Sequence, residues 1–165
     1  METKKNNRAV IIGIGNLLMK DEGFGIHVIR YLEEHFRFPD DVDLVDGGTA
    51  GIYMAPVFEE AKRAIVIDVI ALDLAPGTIV QLDHVEMAGK SVTTSMSSHQ
   101  IGVLEMLEIC RFRGTVPEKT DFFCVVPEVI EAGLDLSAPL WPKVEEMAEK
   151  VTSTLKKEGY RIEDA

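Results

Sequence analysis

A three-layer α/β/α sandwich around a mostly parallel, twisted sheet of about five strands is the fold the sequence predicts, and three observations predict it. Strand-like apolar runs alternate with segments of helical periodicity along the chain, the order that builds a parallel sheet covered by helices. The run Ala64-Ile65-Val66-Ile67 is continuously apolar, as a central strand covered on both faces must be. Ala9 to Ile12 pass directly into the glycine turn Gly13-Ile14-Gly15 and then into a helical pattern, the strand–turn–helix opening of doubly wound folds.

Taken in order, the first strand ends in Gly13-Ile14-Gly15-Asn16-Leu17-Leu18-Met19-Lys20-Asp21-Glu22-Gly23-Phe24-Gly25. Residues 22 to 36 carry Val28, Ile29, Leu32 and Phe36 at helical spacing, with Arg30, Glu33 and Glu34 outward and Pro39 as the stop. Val42 to Val45 form a second strand, ending in Asp46-Gly47-Gly48-Thr49, and a short helix covers about 52 to 61. The central strand ends in Asp68; Pro76-Gly77 turns the chain into a strand over 78 to 82. Residues 84 to 97 are small and polar and read as a loop. His99 opens a helix with Val103, Leu104, Leu107 and Cys110 inward; Asp121 to Val126 form a strand closed by Pro127-Glu128. A last helix over about 139 to 158 turns Val144, Met147, Val151 and Leu155 inward. No repeat, low-complexity tract or linker divides residues 1–165, so one domain is expected.

Composition narrows the function. An apolar fraction of 46% and a mean hydropathy of +0.07 exclude a disordered chain. A net charge of -11 argues against nucleic acid and against anionic membrane surfaces. Lys4, Lys5 and Arg8 precede an apolar run, but Gly13, Gly15 and Asn16 break it and no small-residue cleavage site follows. No segment approaches the roughly 20 apolar residues of a membrane helix. Cys110 and Cys124 make no disulfide framework and read as core. A cytoplasmic monomer without membrane insertion is expected.

In an open α/β sheet, ligands bind beyond the carboxyl ends of the strands. The first strand delivers Asn16, Asp21 and Glu22 there, the second Asp46 and Thr49, the third Asp68, and the segment before the next helix Ser97, Ser98 and His99. Two acids stand where a dinucleotide fold holds phosphate, so this turn is suited to a positive group. Leu18 occupies the place of the third fingerprint glycine, which counts further against a nucleotide. Two or three carboxylates with one imidazole form an O/N set for a divalent cation, left open if only three protein ligands bind. Each residue has a plainer reading. Asp21 and Glu22 can favour a helix dipole, Asp68 can cap a helix, and Ser97-Ser98-His99 can do the same. Their shared position at one sheet end weighs for a site. His27, His35 and His84 read as surface or dipole-compensating residues.

Gly13-x-Gly15-Asn16-x-Leu18-x-x-Asp21-Glu22-Gly23-x-Gly25, Asp46-Gly47-Gly48-Thr49, Asp68 and Ser98-His99-Gln100-x-Gly102 match one family in order. Pro117, Val125-Val126-Pro127-Glu128 and Leu134 fit the same pattern. The chain resembles the hydrogenase maturation endopeptidases, over about residues 8 to 160. The resemblance implies removal of a C-terminal peptide from the nickel-loaded large-subunit precursor of a nickel-iron hydrogenase. It implies Glu22, Asp68 and His99 as metal-contacting residues acting in catalysis, with Asp46 as a further candidate for base or supporting residue. It also implies that nickel arrives with the precursor, other divalent ions substituting in vitro. A non-catalytic, metal-dependent assembly adaptor and a nucleotide-binding module are the alternatives.

Overall fold

Strand β1 (Ala9–Ile14) sits at the second position of a five-stranded sheet in the computed structural model, which describes residues 8–93 and 98–165. Its parallel neighbours are β3 (Val42–Gly48) and β4 (Arg63–Val69). β4 pairs in parallel with β6 (Lys119–Val125), and β5 (Ile79–Asp83) closes the edge antiparallel to β6, giving the order β3-β1-β4-β6-β5. The mostly parallel sandwich is therefore as the sequence predicts.

Strand alternation sends successive side chains to opposite faces, and here it separates two cores. Ile11, Ile65, Ile67, Phe123 and Val125 pack with α1 (Phe24–His35) and α5 (Trp141–Lys157). Ile12, Val66, Phe122 and Cys124 pack on the other face with α2 (Ala55–Glu60), α3 (His84–Thr93) and α4 (Ser98–Phe112). Both cysteines are buried and outside any disulfide, as expected. A two-residue ribbon of β2 (Phe36–Arg37) and β7 (Glu163–Asp164), not foreseen from sequence, ties the chain end beside α1. Among the described residues, no helix is long and apolar enough to cross a membrane.

One expected element is corrected. Residues 84–93 are helical rather than loop, so His84 opens a helix. The cause is local. The Asp83 carboxylate accepts the Glu86 N–H at 2.8 Å, and Glu86 accepts the Asp83 N–H at 2.8 Å. This reciprocal cap satisfies donors that a helix start leaves orphaned, and Met87, 1% exposed, anchors the helix on the sheet.

Candidate functional site

The glycines of the opening motif bring backbone close to backbone. A Cβ on Gly25 would lie 2.4 Å from the Ile67 carbonyl and 2.6 Å from that of Ile14, so α1 can start only hard against the ends of β4 and β1. Gly15 has φ +143°, and a Cβ there would meet the Glu22 carbonyl at 1.8 Å. The turn thus folds back on itself through a 3-10 turn, Lys20–Gly23, and carries Glu22 over the sheet edge. Lys20 has φ 45°, alone among the described non-glycine residues in being positive. A left-handed residue of this kind costs about 1–2 kcal/mol and persists where its surroundings hold it.

His99 lies in the first turn of α4, between Glu22 and Asp68. Its Nδ1 is 3.5 Å from Glu22 Oε1 and its Nε2 3.3 Å from Asp68 Oδ1. The His99 and Asp68 side chains are 4% and 3% exposed and that of Glu22 16%, so the trio opens outward through Glu22. Asp68 also accepts the Val69 N–H at 2.7 Å. Burial lowers the His99 pKa, but the Asp68 hydrogen bond and the charges of Asp68 and Glu22 reverse this and raise it. Burial also pushes the Asp68 carboxyl up, only partly offset by His99, the Val69 N–H and Gln100. The pair therefore retains a proton more readily than its parts would in water.

Sequence reasoning gave Gln100 no role, although it adjoins His99 in the Ser98-His99-Gln100 motif. Its amide donates to the Val69 carbonyl and to the Asp68 carboxylate, fixing the strand end from the same helix turn that supplies His99. Cys124, the register partner of Asp68, keeps its thiol protonated because burial and the Asp68 charge push its pKa well up.

Other candidates lie elsewhere. Asp21 is fully buried and turned away from His99, accepting hydrogen bonds from Glu128, Val129 and Ser137. Of the two acids of the turn, Glu22 is the one that faces the His99 imidazole. Asp46 pairs in register with Gly13, which pairs with Ile67, and alternation puts it on the α1 face, opposite Asp68. It is exposed, and its carboxylate accepts the Gly48 N–H at 3.0 Å. Asn16 closes a similar turn by accepting the Leu18 N–H at 3.0 Å, and Thr49 is exposed. Ser97 lies outside the described residues, and Ser98 begins α4. His35 stacks on Tyr31, and His27 packs edge-on against Trp141. His84 faces Glu108 at 3.9 Å.

Two carboxylates and an imidazole form an O/N donor set that suits a divalent ion of the nickel or zinc class. Among the described residues no group of three or more His, Cys, Asp or Glu side chains forms a preformed metal cage. The trio is closed by contacts of its own, with a carboxylate at each ring nitrogen. An ion would have to exchange at least one contact for a coordination bond.

The family model for hydrogenase maturation proteases matches residues 26–156. The hydrogenase 2 maturation protease of Escherichia coli K12 is 31% identical over 153 residues, which cover 92% of this chain and 93% of that protein. A hydrogenase expression/formation protein, HoxM, of Azotobacter vinelandii is 41% identical over 122 residues, covering 74% of this chain but only 59% of that longer relative. Among solved structures, the hydrogenase maturating endopeptidase HybD from E. coli superposes with a TM-score of 0.88 at 30% identity, covering 95% and 97% of the two chains. A [NiFe] hydrogenase maturation protease HybD from Thermococcus kodakarensis gives 0.75 at 26% identity, covering 89% and 98%. On these matches, the chain belongs to the hydrogenase maturation protease family.

Proposed function

We propose that this chain is an endopeptidase that removes a C-terminal peptide from the large-subunit precursor of a nickel-iron hydrogenase and recognises the nickel that the precursor carries. The observation that carries this reading is the convergence of Glu22, Asp68 and His99 at the carboxyl end of the sheet, with the imidazole set between the two carboxylates. Nickel belongs to the substrate. Glu22, Asp68 and His99 would supply three donors and the precursor's own groups the rest, so the ion joins protease and tail only when it has been inserted. Three O/N donors without a thiolate make the chain by itself a weak nickel binder.

Bound in this way, the ion offers charge to polarise a carbonyl or lower the pKa of a water. The residues of this chain do the positioning. Gln100 and the Val69 N–H hold the Asp68 carboxylate, and α4 presents His99 to it. Fixing a scissile bond in this way can supply about 7–11 kcal/mol of a barrier. Asp46, on the other face, has no part in this arrangement. The enzyme acts in the cytoplasm as a monomer.

The test is to mix the protein with nickel-loaded and nickel-free large-subunit precursor and follow both by intact mass. Loss of one C-terminal peptide from the loaded precursor alone is expected. Equal cleavage of both would remove nickel as the recognition element. Binding of the loaded precursor without cleavage, across several cognate precursors, would favour an assembly adaptor.

A further inference from the structure

Asp21 and Glu22 adjoin in sequence, yet Asp21 spends its charge entirely inside the protein. Its Oδ2 accepts the backbone N–H groups of Glu128 and Val129, both at 2.9 Å, and the Ser137 hydroxyl at 2.8 Å. Its Oδ1 accepts the Ser137 N–H at 2.7 Å. Every donor comes from the segment between β6 and α5. The main chain extends the seam: the Asp21 N–H reaches the Val129 carbonyl at 3.3 Å, Lys20 N–H reaches Gly133 at 2.9 Å, and Gly133 N–H returns to Leu18 at 2.9 Å. Lys20 also pairs with Glu131.

These bonds explain how the turn retains Lys20 in a left-handed conformation. They also constrain Glu22, the next residue after Asp21, whose N–H bonds back to the Met19 carbonyl at 3.1 Å. A released segment 128–137 would let the strained turn relax, and Glu22 would move with it. We propose that Asp21 is the positioning residue for Glu22, clamping segment 128–137 to the 16–22 turn so that the Glu22 carboxylate faces His99 before an ion or peptide arrives. The clamp rests on the reading of Glu22 as an ion-holding group, and its test separates the two.

An amide at position 21 sets one NH2 against an N–H donor whichever way it is flipped, so Asp21→Asn weakens the clamp at nearly constant volume. In the metal-free protein, hydrogen exchange of the Glu22, Glu128, Val129 and Ser137 amides should accelerate at least about tenfold in Asp21→Asn while β1 and β4 keep their protection. Nickel affinity, measured by calorimetry on the protein alone, should fall about tenfold, as when a group supporting a ligand is lost. In a Glu22→Gln background the same substitution should cause no further loss, because its effect runs through Glu22. Parental nickel affinity in Asp21→Asn, or a loss that adds in full to that of Glu22→Gln, would overturn the proposal. Should Asp21→Asn not fold, Ser137→Ala carries the same cycle, with about a twofold change expected for one lost bond. Parental nickel binding by Glu22→Gln would instead remove the ligand reading. The clamp would then stand or fall on whether the Glu22 amide exchanges faster.

Discussion

The two ends of β4 both bury carboxylates, and they balance them differently. At the amino end Arg63, its side chain 5% exposed, bonds Asp121 at 2.6 Å and Glu158 at 2.8 Å, with Lys119 on Glu158 at 3.0 Å. At the carboxyl end Asp68 and Glu22 have His99 between them. A guanidinium is always charged and forks onto carboxylates, whereas an imidazole gives up its proton near neutrality. The amino end is thus complete within the chain, while at the carboxyl end the proposed ion would have to displace an imidazole contact. Burial of acids is common to both; what differs is the counter-charge, a guanidinium at one end and an imidazole at the other.

The largest test of this difference is Asp68→Asn. The amide keeps the volume and an oxygen for the Val69 N–H, but deletes a donor to the ion. Processing of loaded precursor should fall more than about 100-fold, beyond the usual effect of losing a group that only supports a ligand. The native thermal transition should remain. Loss of that transition would mean that Asp68 serves the fold as Asp121 does. The converse test is Arg63→Met, which leaves Asp121 and Glu158 without their buried partner. Stability should fall by about 3–5 kcal/mol, measured by denaturant unfolding, while nickel affinity and cleavage per folded molecule stay at parental values. A selective loss of nickel binding would break the separation of the two ends.

Of this contrast, the carboxyl end was the part legible in the sequence. A continuous apolar run ending in one acid gave β4 and Asp68, and the crevice rule put Asp68 at one sheet end with Glu22 and His99 among nine polar candidates, from which the family resemblance singled out these three. Asp21 was not separable from Glu22, because its partners, three backbone N–H groups and the Ser137 hydroxyl, lie more than 100 residues away and backbone donors leave no trace in residue types. Asp46 looked equivalent to Asp68, since both end strands. Only the register of β1 with β3 and β4 reveals that they face opposite ways. The helix over 84–93 had its own signal, Asp83 and Glu86 at capping-box spacing, masked by the small and polar residues Ala88, Gly89, Lys90 and Ser91 that follow.

The smallest effect sharpens the comparison by its sign. Burial works to raise Glu158, but Arg63 and Lys119 outweigh it and hold its pKa below the ordinary value. Such a depressed carboxyl contributes stability above its unfolded pKa, about 4.3, and loses it as pH falls through the folded value. At the other end the Asp68–His99 pair is raised. Its contribution is greatest at low pH and fades as pH rises, from the unfolded values of about 3.9 and 6.5 up through the folded ones. In metal-free protein the amino end should therefore weaken toward acid and the carboxyl end toward alkali. Denaturant unfolding from about pH 3 to 9 reads both flanks, each about 1 kcal/mol, the worth of a hydrogen-bonded pair. Glu158→Gln should reduce the acid flank, to which Asp21, held low by its hydrogen bonds against burial, also contributes, and His99→Gln should reduce the alkaline flank alone. A single substitution that flattened both would show that the ends are coupled through β4 and are not two independent charge balances.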